Sequence, residues 1–574
     1  MRYVVDPRQQ FLFDPAAKMF SPKVIARLRA GWSGLFRAKI LELMPVGKLG
    51  KHFHPVWGGP TKELYGMAGL IYLKEFFNLT IEQAEERYLF DASFQFALNV
   101  NPMEVSLGHA TIERYMEWFV EDDLAREIFD RVTTALVETL ELNVSKQRLD
   151  STHIFSAMAI FGRTKLMGVA IKRFLVQLRG HHAPLYMELP EPFRTRYAPS
   201  QAKLFGDFSG ERTALRQQVA QDLLFLVSRY ARDEAVSNRT SYQAMQRILS
   251  EQCDVVEDRV TLKEKPGGNV MQNPSEPDAT YDGHKGPGYQ AQLSETCPED
   301  NDVQLITGAT VEPAHCPDPA ALAPMIEQLE SQDRKPDLMY TDASYGRDEN
   351  VTRAAEQGVD LQSPVSGLAP TDSQTLTVDD FAIDEATETV ECCPNGCVPT
   401  VSTHDTEKGT TTTVMKREDC IHCEFRSQCP VKDVRGEVVL KHTPVQRRLA
   451  ARRAEQSTEA FREHYAIRAG GESLNSQLKR KMGMGRVRVR GAPRVTSAVL
   501  LRCAGWNLLC ALRALKKRGV RDFLAYFGHF CALVRSARFP AHRLRRLFRP
   551  EIIPAALLRR FTVAAGNLPC PTAA

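Results

Sequence analysis

The chain has 574 residues, 43% hydrophobic and 25% charged, with 33 Pro and 35 Gly. That composition excludes a wholly disordered, collagen-like or small disulfide-framework protein, and the length suggests about three to four domains. The net charge of +4 conceals a division: residues 441–560 carry 28 Lys and Arg against 6 Asp and Glu, whereas everything before them carries 46 against 64. Such a basic block makes a polyanion, nucleic acid above all, the leading partner, because clustered cations release the counterions condensed on phosphates.

No uncharged apolar run of about 18 residues is present, the longest candidate, 497–512, being broken by Arg502, so no membrane association is expected. The opening residues, MRYVVDPRQQFLFDP, lack the apolar segment of a signal peptide. A cytoplasmic location with mostly reduced thiols is therefore expected for the 13 cysteines.

Taken in chain order, residues 60–120 read as short helices. Leu64, Met67, Leu70 and Ile71 recur at helical spacing, Thr80 and Gln83 have capping-box form, and Ile112, Tyr115 and Phe119 mark a further helix. Compact helical modules of this kind bind DNA or serve as ordinary packing domains, and periodicity alone does not separate the two. Near Gln147 the pattern turns to an extended run ending in RLDSTHIF. Two amphipathic helices follow, one marked by Leu215, Val219, Leu223, Val227 and Tyr230, the other by Tyr242, Met245 and Leu249. These belong to a helical insertion at about 165–255.

From Tyr281, YDGHKGPGYQAQLSETC and VQLITGATVEP suggest a hairpin. Then come a helix around Ala320–Leu329, the strand PDLMYTDAS, a helix from about Asp348 to Glu356 closed by Gly358, and a strand around Val359–Ser363. With the insertion removed, the order β, ββ, α, β, α, β predicts an α/β fold around a mixed sheet. Residues 365–440 are acidic and Thr-rich and contain most of the closely spaced cysteines, so they form a second insertion. The basic region after His442 is helical, with GMGRVRVRGAPR in its middle.

Three carboxylates stand out. Asp150 and Asp342 each end an extended run, and Glu472 lies in the basic helical region. Carboxylates at neighbouring strand ends, completed by one from a packed helix, suit Mg²⁺ or Mn²⁺. Tyr465, Arg468, Glu472 and Lys479, at offsets of 3, 7 and 14 from the first, stay within a stripe of roughly 60° on one helix. Such a face suits a metal site pressed on a nucleic-acid backbone, and equally an exposed face with intrahelical ion pairs. Gly470 and Gly471 weaken a helix there, so it is expected to bend or to begin only after them.

The series Tyr465-x2-Arg468-x3-Glu472-x6-Lys479, with Asp150 in RLDSTHI and Asp342 in YTDASYG, resembles the Asp-Asp-Glu transposases of bacterial insertion sequences, in the branch with a Tyr-Arg-Glu-Lys signature. The similarity spans about residues 145–515. It implies an RNase H-like core, catalytic and Mg²⁺-binding roles for Asp150, Asp342 and Glu472, and metal-dependent cleavage at element ends with strand transfer into target DNA. Terminal inverted repeats and target DNA are the implied partners, a homodimer on paired ends the implied assembly, and the nucleoid the implied place of action.

Tyr465, Arg468, Lys479, Arg480, Lys481 and Lys285 are the candidate DNA contacts. Many relatives hold a flipped base with a tryptophan from the insertion before the glutamate, and residues 365–440 contain none. A metal-dependent nuclease without strand transfer, or a non-catalytic DNA-binding derivative, would share much of this text.

Cys393-x3-Cys397, Cys420-x2-Cys423 and then Cys429, with Cys392 adjacent, have knuckle-like spacing for structural Zn²⁺; unmetallated thiols are the alternative. Cys253, Cys503 and Cys531 are expected in the core. Lys479–Arg494 holds seven Lys and Arg and no acid, which suits backbone tracking along DNA. The expected organisation is a helical DNA-binding region over 1–140, the first part of the core over 141–364, the Cys-rich insertion over 365–440, the catalytic Glu helix and end of the core over 441–515, and a basic helical tail over 516–574.

Overall fold

The computed structural model describes residues 1–8, 19–197, 204–205, 210–257, 259–365, 376–384 and 386–528. Cys531 and most of the expected basic tail lie outside the described residues.

Four longer helices precede the sheet: α1 (Leu64–Phe76), α2 (Ile81–Phe90), α3 (His109–Glu121) and α4 (Leu124–Leu140). Helix α2 begins where expected, with the Thr80 hydroxyl accepting from the Gln83 amide and the Gln83 side chain accepting from the Thr80 amide. Helix α1 is apolar on all sides as far as Leu73, and all but one of its residues, including the charged Lys74 and Glu75, are buried. Such a helix belongs to the centre of a domain.

The main sheet contains β1 (Lys146–Ile154), β2 (Thr280–Asp282), β3 (Gly286–Thr296), β4 (Ile306–Pro313), β5 (Leu338–Tyr340) and β6 (Asp360–Gln362). Its order is β4-β3-β1-β5-β6, with β2 paired to the start of β3. β3 runs antiparallel to both β4 and β1, with Asp150 opposite Leu293. β1, β5 and β6 are parallel; α8 (Leu322–Ser331) leads from β4 into β5, and α9 (Asp348–Glu356) from β5 into β6. The mixed sheet expected from the element order is therefore present, and parallel strands place their connecting helices on its faces.

β3 carries Gln290, Gln292 and Ser294, all buried. Ser294 donates to Gln147 Oε1 at 2.7 Å, and Gln292 donates to Glu312 at 2.8 Å and Asp318 at 3.0 Å. Strand polarity is tolerated here because these polar atoms are paired.

Residues 163–262 form a helical insertion with its own apolar core, built by α5 (Arg163–His181), α6 (Arg212–Tyr230) and α7 (Thr240–Gln252) and closed by a short ribbon, Cys253–Val256 against Arg259–Leu262. The cysteine-bearing segment holds a separate four-stranded sheet. Its strands, β7 (Val401–Asp405), β8 (Thr410–Met415), β9 (Lys432–Val434) and β10 (Glu437–His442), pair in the order β7-β8-β10-β9.

The chain returns through α10 (Pro444–Ser457), α11 (Glu459–Tyr465), α12 (Ala469–Lys481) and the 26-residue α13 (Ala492–Lys517). By length and composition α13 could cross a membrane, but 78% of its most apolar window is buried inside the protein. It packs with α1, α4 and β4 in one hydrophobic core that also holds Leu293 of β3 and Leu474 and Leu478 of α12. Arg502, the interruption in its apolar run, is 1% exposed and donates to Glu75 of α1 at 3.0 and 3.2 Å and to the Gly483 carbonyl at 2.7 Å. Asn507 accepts from the Ile306 amide and donates to its carbonyl, tying α13 to β4. The N-terminal helices thus share the core of the sheet domain. They do not form an independent apolar unit.

Candidate active site

β1 delivers Asp150 to the middle of the sheet. Asp342 lies two residues beyond the end of β5, in a turn where its Oδ1 accepts from the Ser344 amide at 2.8 Å and from the Ser344 hydroxyl. Such an Asx turn fixes the carboxylate without a helix or strand around it. The Ser363 hydroxyl donates to the Asp342 carbonyl at 2.6 Å, securing the turn against the end of β6.

The third carboxylate arrives on a helical path that is not one continuous α-helix. α11 ends at Tyr465, residues Ala466–Arg468 form a 3₁₀ turn, and α12 starts at Ala469, ahead of both glycines. The expected single face is therefore broken between Tyr465 and Arg468. The glycines are there for packing: a Cβ at Gly470 would stand 1.9 Å from Nη1 of Arg148, and one at Gly471 would stand 3.6 Å from Asp150. Arg148 itself is committed, paired with buried Glu295 and donating to the Ile467 carbonyl at 2.9 Å. Their missing side chains let α12 lie close over β1.

That approach brings the three carboxylates together around one cation. Nη2 of Arg468 stands 3.5 Å from Asp150 and 4.0 Å from Asp342, while its Nη1 donates to Glu472 at 3.0 Å. Side-chain exposure rises from 16% for Asp150 and 33% for Asp342 to 70% for Glu472, so the cluster opens outward on the helix side. Burial pushes the Asp150 carboxyl above its ordinary range; Arg468 opposes that shift, and the nearby Asp342 and Glu472 add to it. Burial disfavours the charge on Arg468, yet Asp150, Tyr465, Asp342 and Glu472 together hold its pKa above the usual value. Three carboxylates thus share one guanidinium.

Asn475, one turn beyond Glu472, donates to Asp150 Oδ2 at 3.1 Å and to the Ser151 carbonyl at 3.2 Å. It was not singled out from the sequence. Its position three residues after Glu472 puts it on the same helical face, which is the signal that was available. The Tyr465 hydroxyl donates to the Thr341 carbonyl at 2.8 Å, and its ring stacks on Phe461. It buttresses the Asp342 turn from behind, and burial raises its pKa to about 12.

Lys479 lies close enough to both Lys285 and Asp150 to feel their charges, and burial followed by Lys285 lowers its pKa. Lys285 projects from the exposed β2–β3 turn, whose Asp282 carboxylate accepts from the Lys285 amide at 2.6 Å. His153, three residues along β1 from Asp150, is buried, and its pKa is lowered first by that burial. Arg480 and Lys481 turn away: Arg480 donates to the Ser476 carbonyl, and Lys481 bonds Gln477 and lies 5.7 Å over the Trp506 ring. The structure therefore gathers Asp150, Asp342, Glu472, Arg468, Lys479 and Lys285 in one neighbourhood. It sets Tyr465 behind the site and Arg480 and Lys481 on its flank.

Cys393, Cys397, Cys420, Cys423 and Cys429 line one small apolar cavity, with Phe381, Met415 and Val431 among its walls. All five are free thiols, and the Cys393 amide donates to the Cys397 carbonyl at 2.9 Å. Burial pushes Cys420 up to about 11 and also raises Cys397 and Cys429. Among the described residues, no three His, Cys, Asp or Glu side chains stand preassembled as a metal cage. Cys253 and Cys503 are buried, as expected.

Residues 392–510 match the family described as Transposase DDE domain. No curated protein and no solved structure matches the chain. The matched stretch contains the cysteine cluster, Arg468, Glu472 and Lys479, and supports a DDE transposase; Asp150 and Asp342 lie before it.

Proposed function

We propose that the protein is an insertion-sequence transposase that cleaves DNA at element ends and transfers the freed strand to target DNA, with Asp150, Asp342 and Glu472 as its catalytic carboxylates. The observation that carries this reading is the meeting of all three on the single guanidinium of Arg468. Residues separated by 192 and 130 positions have converged where the charge of a cation is already required. The strand order β4-β3-β1-β5-β6, antiparallel on one side and parallel on the other, supports the RNase H-like form of the reading.

The donor set fits divalent magnesium: hard carboxylate oxygens from three residues, and a cation standing in at the centre. Asp150, Asp342 and Glu472 would hold the ions, which supply an activated water or 3′-hydroxyl and stabilise the leaving oxygen in phosphodiester displacement. The remaining groups orient and neutralise. Asn475 fixes the Asp150 carboxylate by occupying Oδ2, and the Ser344 amide and hydroxyl fix Asp342. Lys479 and Lys285 face the approaching phosphate, and Arg468 is free to pair with a phosphate once the carboxylates have another cation.

Asp342→Asn should reduce cleavage and strand transfer, measured on plasmid carrying the gene's own flanking DNA, by on the order of 10³-fold while DNA binding persists. Undiminished cleavage would exclude the assignment. A nuclease without strand transfer would cut the same plasmid yet fail to join pre-cut ends to target DNA.

The cysteine insertion is read as a structural zinc module. Cys393, Cys397, Cys420 and Cys423 supply two close pairs and Cys429 a fifth thiol, all on one cavity. Bound zinc would deprotonate its thiol ligands and cross-link a segment of little apolar content.

A further inference from the structure

Beyond the carboxylate cluster, the Gly/Arg-rich segment has a structure that its composition does not reveal. Residues 485–489 run alongside the continuation of β1. The Phe155 amide donates to the Gly485 carbonyl at 3.0 Å, the Val487 amide to the Phe155 carbonyl at 2.8 Å, and the Ala157 amide to the Val489 carbonyl at 3.0 Å. The extended backbone makes the side chains alternate. Val487 is buried and Val489 half-buried, whereas Arg486, Arg488 and Arg490 are exposed on the other face. Successive arginines in such a strand stand about 6.6 Å apart, the scale of neighbouring phosphates on an extended nucleic-acid strand.

Two of the three are held by their stems. Arg488 Nε donates to the Asn78 carbonyl at 3.2 Å and Arg490 Nε to the Ala157 carbonyl at 3.1 Å, which leaves the outer edge of each guanidinium directed away from these anchors. The Arg486 side chain carries no hydrogen bond or ion pair among the described residues. A cavity of about 650 Å³ separates the segment from the start of α2, and among the described residues Glu82 is the single carboxylate lining it.

The row is continuous with the site. An added Cβ at Gly485 would meet the stem of Lys479 at 3.4 Å, so Lys479 packs over the first residue of the segment, between it and Asp150. Phe155 lies five residues from Asp150 along β1 and its extension, a distance of about 17 Å.

We propose that Arg486, Arg488 and Arg490 form a phosphate ladder that grips the backbone of one DNA strand and leads it past Lys479 to Asp150, Asp342 and Glu472. The proposal rests on the transposase reading and adds to it the path of the DNA. The ladder reads backbone, not base sequence, so its signature is salt dependence.

The test is the affinity of the full chain for a fluorescent 30-base-pair duplex of arbitrary sequence, measured across salt concentrations in magnesium-free buffer. Replacing all three residues (R486Q/R488Q/R490Q) should make the slope of log affinity against log salt shallower by about 2 to 3, near 0.9 for each duplex phosphate no longer neutralised. The triple lysine variant should keep the wild-type slope, and R212Q/R232Q/R259Q, on the exposed surface of the helical insertion, should leave it unchanged. The Arg486 side chain makes no internal bond, so R486Q alone should lower the slope by about 1 even if the triple glutamine variant folds poorly. An unchanged slope in R486Q and in a normally melting triple variant overturns the ladder and leaves the carboxylate assignment standing. Failure of the wild-type chain to bind duplex at all overturns the transposase reading itself.

Discussion

The carboxylate cluster and the cysteine cluster solve the problem of crowding like groups in opposite ways. At the first, three acids are gathered by an internal cation, Arg468, which touches all of them and lets them remain close without a metal. At the second, five thiols share an apolar cavity, and burial raises Cys420 to about 11 and lifts Cys397 and Cys429 above their ordinary value, which disfavours thiolate charge there. Charge organises one site and its suppression organises the other. Each arrangement therefore responds to a different perturbation.

The largest expected effect is at the cysteines. Wild-type protein should purify with close to one zinc per chain, and C420S/C423S should lose it and become susceptible to proteolysis within residues 392–442; a zinc-free wild-type protein with a protected insertion would break the comparison. At the carboxylates, Asn475→Ala frees Asp150 from its fixed orientation. Cleavage should fall by about 10- to 100-fold with little change in melting temperature, the size usual for groups that orient a metal ligand. Arg468→Ala should act in two directions. The DNA-free protein should bind Mn²⁺ about tenfold more tightly, by one pKa unit's worth of Coulomb competition removed, while its affinity for DNA drops. Mn²⁺ titration followed by electron paramagnetic resonance reads the first arm, and unchanged affinity would deny Arg468 its place at the centre.

The smallest effect concerns pH. His442 ends β10 and is buried, and that burial lowers its pKa. The unfolded chain then binds the proton more readily than the folded one. Stability from this group is present above the unfolded value of about 6.5 and is lost as pH falls below it. His442→Gln should flatten the decline in urea stability between pH 7.5 and pH 5 by about 1 kcal/mol or less, and an equally steep decline in the variant would locate its cause elsewhere.

Local text was most legible where one element fixes its own boundaries. The Thr80–Gln83 cap, the extended run through Asp150, the hairpin after Tyr281 and the order of strands and helices around Asp342 all appear as the pattern predicts. Both aspartates and the glutamate were singled out by the order of their motifs and the resemblance that order carries; the structure adds that all three approach Arg468. Asn475 offered only its place on the helical face of Glu472, a weak mark for a bond to a residue 325 positions earlier. Tyr465 and Gly470 stood out in the sequence for other reasons, but only the fold shows the Tyr465 hydroxyl donating to the Thr341 carbonyl and the small size of Gly470 making room for Arg148 of β1 beneath α12.

The N-terminal region teaches the complementary lesson. Its helices were visible as periodic apolar positions, but their partner was not. Periodicity reports that a face is buried, never against what. Only the folded chain shows α1 and α4 enclosing α13, with Arg502 converting an interruption in an apolar run into a buried link to Glu75.

By itself the sequence determined the identity and order of the secondary elements, the charge division, and the residue types available for metal and phosphate chemistry, because these depend on neighbours along the chain. The tertiary structure alone decided that a guanidinium would occupy the centre of the carboxylates, that the glycines serve close packing, and that alternate arginines would line an extended edge. Those outcomes depend on distances between residues remote in the chain, which close packing and charge pairing set only once the backbone has folded.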